Sequence, residues 1–156
     1  MPVTICVDFD GTIADHCYPD IGNLIPGAVV WLRKFHVMGH KTILHTMRSD
    51  DGPDGLVLSQ ALKFCNDNGI HLDHVNENPS QKEWTSSPKI YGHYYVDDAA
   101  VGCPLKVNPR MGGKPFVDWH KAGPMLLDMI VDRHREEKGA VSWELGANIH
   151  PRCTTN

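Results

Sequence analysis

The sequence predicts a three-layer, doubly wound (Rossmann-like) α/β domain built on a parallel sheet. Short β-rich runs alternate with longer stretches of helical periodicity, which is the pattern of strands joined by crossover helices. No internal repeat or low-complexity block competes with that reading. Polar and acidic residues follow directly after the strand-like runs, where the ligand-holding edge of such a sheet lies.

The elements follow in order. Val3 to Val7 is a short β-rich run leading into Asp8-Phe9-Asp10-Gly11-Thr12, as a buried strand ending in a polar loop would. Pro26 suits a first helical position, and Ala28, Val29, Leu32 and Phe35 repeat at helical spacing until Gly39. Lys41 to His45 is the second strand, and it delivers Thr46, Met47 and Arg48 to a polar loop. From about Gly55 to Asn68, Leu58, Ala61, Leu62 and Cys65 make one apolar face, with Asn68-Gly69 as a left-handed stop. His74 to Asn76 is a weak third strand. Ile90 to Val96 is an aromatic strand ending at Asp97-Asp98, and Leu105 to Val107 is one more short strand. A last helix is expected from about Gly123 to Lys138. Residues 1–138 thus form a single domain, and residues 139–156 lack periodicity and are expected to be a partly disordered tail.

Composition narrows the function classes. A chain of 156 residues with 41% hydrophobic and 22% charged residues is ordinary for one globular domain. The longest apolar runs, such as Ala28 to Leu32, fall far short of the roughly 20 residues needed to span a bilayer. The opening residues lack the basic start and apolar stretch of a secretory signal, so a cytoplasmic location is expected. A formal charge of −4 offers no global field for gripping a polyanion, which argues against general nucleic-acid binding. Five cysteines without a CxxC pair suggest reduced thiols rather than a disulfide framework or zinc ribbon. Among ten histidines, His71 and His74 sit at helical spacing, but Gly69 just before them breaks the helix such a metal pair would need.

The chemistry lies in four features in chain order: Asp8-x-Asp10-Gly11-Thr12, Thr46, Lys89 and Asp97-Asp98. In that order, each at a strand edge, they resemble the haloacid dehalogenase (HAD) superfamily of phosphohydrolases, whose motifs are DxDGT, a Ser/Thr, a Lys and an acidic pair. The resemblance covers roughly residues 3–107, and DFDGT is its most specific part. Residues 13–25 are long enough only for a flap, and 50–88 are used up by a helix, a short strand and a loop. The chain therefore looks like the small capless type.

Elementary physics leads the same way. Two carboxylates one residue apart, beside a further acidic pair, repel one another unless a divalent cation compensates them, and hard oxygen ligands suit Mg²⁺. With that charge absorbed, Asp8 can approach a phosphate monoester in line and form an aspartyl-phosphate. The resemblance implies that Asp8 is the nucleophile. It makes Asp10 the general acid and then base, with its main-chain carbonyl also on the metal. Thr46 would hydrogen-bond a phosphoryl oxygen and Lys89 would steady Asp8 and the transferring group, while Asp97 and Asp98 complete the metal shell. Gly11 lets the chain turn so that its own N–H and that of Phe9 reach the phosphoryl oxygens, and Thr12 braces the turn. The resemblance would place Met47, next to Thr46, in the same phosphate-binding group.

The third motif has two candidates, because Lys82 is close to Lys89 and either could reach inward. Lys89 is preferred, since Ser87-Pro88-Lys89-Ile90-Tyr91 resembles small members of the superfamily. Arg48 is a candidate for a bidentate contact to a second anionic group of the substrate. Between Lys106 and Lys121 the ionisable residues are Lys106, Arg110, Lys114, His120 and Lys121 against Asp118 alone. If its strand joins the parallel sheet, this loop leaves the sheet's carboxyl edge, and Arg110 and Lys114 are then expected to attract an anionic leaving group.

The expected partner is a small phosphorylated substrate, a nucleotide or a sugar phosphate. Short loops, the substrate's bulk or a second subunit must cover the site, so a homo-oligomer is kept open. Two other function classes compete: a phospho-accepting signalling module and a catalytically silent Mg²⁺-binding protein. In a receiver domain the phosphorylated aspartate lies mid-chain, whereas the DxD here comes first. Transfer to an alcohol instead of water shares the same intermediate.

Overall fold

A computed structural model of the protein describes residues 1–144, with side chains to residue 139. Strands β1 (Thr4–Val7), β2 (Lys41–Leu44), β3 (His74–Val75) and β4 (Tyr94–Val96) form one sheet in the order β3-β2-β1-β4. All its pairings are parallel, and Val7 is in register with Leu44 on one side and Val96 on the other. The chain is thus an α/β protein with a parallel, Rossmann-like sheet flanked by helices.

Helices α1 (Ala28–Val37), α2 (Val57–Asp67) and α3 (Trp119–Glu144) feed one core. Ala28, Leu32 and Phe35, Ala61 and Cys65, and Ala122, Leu126 and Ile130 pack there with Ile5, Val7, Leu44 and Val96. Strand residues of the opposite parity, Cys6 and Ile43, join Ile90 in a small separate cluster. The second face of the sheet is therefore covered by the β3–β4 connection, whose regular structure is a single 3₁₀ turn at Pro79–Glu83. Reversal of strand order sends a right-handed crossover to that face. Pro79, Pro88 and the Ser-rich run between them keep it from becoming an α-helix.

The expected strand from Ile90 shortens to Tyr94–Val96. Ile90 turns into the small cluster, and Gly92 lies so close to β1 that a Cβ there would be 2.6 Å from Cys6 Sγ. The run at Leu105–Val107 is a strand, β5, but it leaves the parallel sheet. It pairs antiparallel with β6 (Pro115–Val117), a strand hidden from sequence reading by its Gly/Pro surroundings. Helix α3 begins at Trp119, four residues before the expected start. Asp118 caps it by accepting His120 N–H on its side chain and Ala122 N–H on its carbonyl. The helix runs to Glu144, past the expected boundary at 138, and residues 145–156 of the expected tail lie outside the described residues.

Residues 13–25 form the expected flap. Ala14 bridges Leu24 antiparallel, and Asp15 N–H donates to the Asn23 carbonyl at 2.8 Å. Among the described residues no helix is long and apolar enough to cross a membrane. Cys6, Cys17, Cys65 and Cys103 are free thiols.

Candidate active site

The parallel ladder continues one residue beyond β1. Asp8 N–H donates to the Val96 carbonyl at 3.0 Å, and His45 N–H to the Val7 carbonyl at 2.8 Å. Asp8 therefore sits between the ends of β2 and β4, and the end of β4 supplies Asp97 and Asp98. Carboxylate oxygens of Asp8, Asp97 and Asp98 all lie within 4.8 Å of one another, and all three residues are half-buried. Burial pushes the Asp8 carboxyl up to about 7, helped by Asp97, Asp98 and Asp10 and opposed by the Phe9 N–H. The Asp98 carboxyl is also raised, first by burial and then by Asp97, while His16 opposes the rise. Three clustered oxygen donors that no lysine or arginine pairs with among the described residues are a donor set that fits a hard divalent cation.

The loop after β1 is braced from several sides. The Phe9 carbonyl accepts N–H groups from Ile13 and Ala14 at 2.9 and 3.1 Å, which winds the DFDGT segment into a tight turn. Gly11 has φ +81°, and a Cβ there would lie 2.4 Å from His16 Nε2 and 2.7 Å from Asp98 Cγ. Glycine is thus required both by the backbone and by the close approach of the acidic pair. Thr12, fully buried, donates its hydroxyl to Asp8 Oδ2 at 3.5 Å and accepts Asp98 N–H at 3.3 Å. It braces the turn as expected. Phe9 buries its ring edge-on against Phe64.

Asp10 and Arg48 depart from the expectations. Asp10 does not join the acidic cluster through its side chain: Arg48 Nε donates to its Oδ2 at 2.8 Å and Arg48 Nη2 to its Oδ1 at 2.7 Å. Arg48 itself is 1% exposed. The anionic group that Arg48 holds in bidentate fashion here is the Asp10 carboxylate, where the sequence reading offered a second anionic group of the substrate. Sequence shows an arginine near a loop; it does not show that the flap folds over it.

Thr46 is buried at the carboxyl edge. Its N–H donates to Asn76 Oδ1 at 2.9 Å, and its hydroxyl oxygen accepts Arg48 N–H at 3.2 Å. Asn76, which holds φ +48° to make this clamp and donates back to the Thr46 carbonyl, carried no signal in the sequence beyond its place after β3. Met47 is 97% exposed, so what it can offer a phosphate is main-chain N–H alone. Lys89 is exposed on a small cleft with Trp84, Tyr91 and Tyr95, and Lys82 pairs with Glu77 at 3.1 Å. Among the described residues neither lysine forms an ion pair with Asp8.

Arg110 and Lys114 are exposed in the turn of the β5–β6 hairpin. The premise for placing them over the site, a strand parallel to the others, does not hold. The hairpin touches the site through β6, where Val117 N–H donates to the Gly11 carbonyl at 2.8 Å and the Pro115 carbonyl lies 3.1 Å from His16 Nε2. His16 in turn sits 3.1 Å from Asp98 Oδ2. Sequence reading passed over it because a lone histidine in a flap has no periodicity to mark it.

A cleft of about 600 Å³ lies between α1, α2 and β3 and is lined by Arg33, His36, Leu62, His71 and Val75. It opens where α1 and α2 end, at the amino edge of the sheet. Carboxylate geometry at the opposite edge is the better guide to chemistry, because ligands in open parallel sheets bind beyond the strands' carboxyl ends.

No family model matches the chain, and no curated protein matches it. A solved structure does: the conserved protein coded by a locus from Bacteroides thetaiotaomicron, at 31% identity and a TM-score of 0.64, over 83% of this chain and 93% of that one. The chain belongs to the family of this conserved Bacteroides protein. The match to the conserved Bacteroides protein spans nearly all of that relative, so the two share a whole domain.

Proposed function

We propose that the protein is a capless phosphohydrolase of the HAD type that cleaves a phosphate monoester with Asp8 as nucleophile. One observation carries this reading: the Asp8, Asp97 and Asp98 carboxylates converge within 4.8 Å at the carboxyl edge of the sheet, on the loops after β1 and β4. The four-strand order and the short flap between β1 and α1 support the same reading.

Asp8, Asp97 and Asp98 would hold Mg²⁺, together with the Asp10 main-chain carbonyl. Bound there, the cation offsets the negative charge that otherwise keeps a phosphate dianion from approaching a carboxylate. An Asp8 oxygen attacks phosphorus as the bond to the leaving oxygen breaks, and that oxygen takes a proton from Asp10. Water then attacks the aspartyl-phosphate, giving its proton to Asp10 and releasing phosphate and the Asp8 carboxylate. Thr46 and main-chain N–H groups of Phe9 and Met47 bind phosphoryl oxygens; the Gly11 N–H, expected to join them, is instead donated to the Ala14 carbonyl at 2.7 Å, and Lys89 offsets the phosphoryl charge from the exposed loop before β4. Free thiols in both the core and the flap suit a reducing, cytoplasmic setting.

The test is phosphate release from a panel of nucleotides, sugar phosphates and aryl phosphates, with Mg²⁺ or with excess chelator. Turnover that needs Mg²⁺ and is abolished in Asp8→Asn supports the reading, whereas full activity in Asp8→Asn removes Asp8 as nucleophile. A second reading, a silent Mg²⁺-binding protein, is favoured by the engagement of both Asp10 oxygens with Arg48. Mg²⁺ binding by calorimetry without turnover on any substrate would select it.

A further inference from the structure

We propose that Arg48 is a positioning residue: it sets the orientation of Asp10 and ties that orientation to the tip of the flap. This rests on the reading of Asp10 as the acid–base group. A guanidinium has five N–H donors in a fixed plane, and here all five are used. Nε and one Nη2 proton go to Asp10, the other Nη2 proton goes to the Asp20 carbonyl at 2.7 Å, and Nη1 serves the Pro19 and Val57 carbonyls at 2.9 and 3.4 Å. Aromatic rings complete the enclosure: the guanidinium carbon lies 5.0 Å from the Phe9 ring centroid and 5.2 Å from that of Tyr18.

Two consequences follow from this geometry. Asp10 is the one carboxylate paired with Arg48 among the described residues, so the cation is buried with a single counter-charge. A buried charge left without its partner is costly, so the pair moves as a unit or not at all. Pro19 and Asp20 form the flap tip, and Tyr18 beside them donates to Asp54 Oδ2 at 2.7 Å, across the loop before α2. A substrate that displaces the flap tip must therefore shift the guanidinium that aims Asp10. The Arg48 position also explains its spacing from Thr46, because Arg48 N–H is held by the Thr46 hydroxyl oxygen. Phosphate-binding threonine and acid-positioning arginine are set by the same turn.

The test combines a double-mutant cycle with an activity-free readout. Asp10→Asn presents an amide N–H₂ to a donor that needs an acceptor, so Arg48 must shift and the flap must loosen. Hydrogen exchange at the Asp15 and Ile25 amides should then rise about tenfold in both Asp10→Asn and Arg48→Lys, with β1 amides unchanged. In turnover, Arg48→Lys should lose about 10-fold or more in kcat on an alkyl phosphate, which needs the acid, and much less on an aryl phosphate, with little change in KM. The double variant should be no slower than Asp10→Asn alone, since groups acting as a unit are not additive. Equal losses on both substrates, or additive losses in the cycle, overturn the positioning role. Unchanged flap exchange in Asp10→Asn overturns the coupling even if Arg48→Lys fails to fold. A wild-type protein without phosphatase turnover sinks the proposed activity instead, and the exchange result still decides whether Asp10 and the flap are linked.

Discussion

Trp119 Nε1 donates a 2.7 Å hydrogen bond to the Thr12 carbonyl, joining the first residue of α3 to the loop that carries the two motif aspartates. Both residues are fully buried, and Thr12 in turn contacts Asp8 and Asp98. The C-terminal helix therefore holds the site as well as the core. Trp119→Phe keeps most of the ring but leaves a buried carbonyl without its donor, at a cost of about 1–3 kcal/mol. Chemical denaturation should show that loss, and Mg²⁺ affinity should fall with it; a variant unchanged in both would separate the helix from the site.

Asp8 gives the metal-free protein a distinctive pH dependence. Its folded carboxyl, raised from 3.8 to about 7, stays protonated where the unfolded chain has already released the proton. The folded state thus binds more protons between those values, and this group's contribution to stability falls as pH rises from about 4 to about 7. In excess chelator, the melting temperature of wild type should decline relative to Asp8→Asn across that window. Saturating Mg²⁺ should reverse the difference above pH 7, because the cation favours the ionised carboxyl.

Gly11→Ala should damage metal binding along with stability. The added methyl would meet His16 Nε2 and Asp98 Cγ at under 3 Å, in a backbone conformation with φ +81°. Strain of this kind costs on the order of 1–3 kcal/mol. Calorimetric titration should find weaker Mg²⁺ binding, since the acidic pair must move to admit the methyl. Asp98→Asn should weaken binding without the loss of stability.

The two candidate lysines are expected to part company in kinetics. Lys82 is exposed and paired with Glu77, so Lys82→Ala should change stability by less than about 1 kcal/mol and leave turnover alone. Lys89→Ala should lower kcat, by removing the cation nearest in sequence to β4 that has no carboxylate partner among the described residues. Reversal of the two effects would move the third motif to Lys82.

Much of this was visible in the chain itself. Alternating β-rich and helical runs located β1, α1, β2, α2 and β3 within a few residues, because their apolar faces are local patterns. The same local logic put Asp8, Thr46 and Asp97-Asp98 at one sheet edge, since parallel strands bring their following loops together. It failed where partners come from afar. Leu105–Val107 reads as a strand from its residues, but antiparallel pairing with Pro115–Val117 took it out of the main sheet. Arg48 and Asp10 are 38 residues apart and nothing periodic links them, yet folding of the flap buries one against the other. Hydrophobic periodicity is a property of neighbours along the chain, and it determined the layers and the edge where the acids gather. Which cation faces which carboxylate depends on desolvation by segments remote in sequence, and only the tertiary structure decided that.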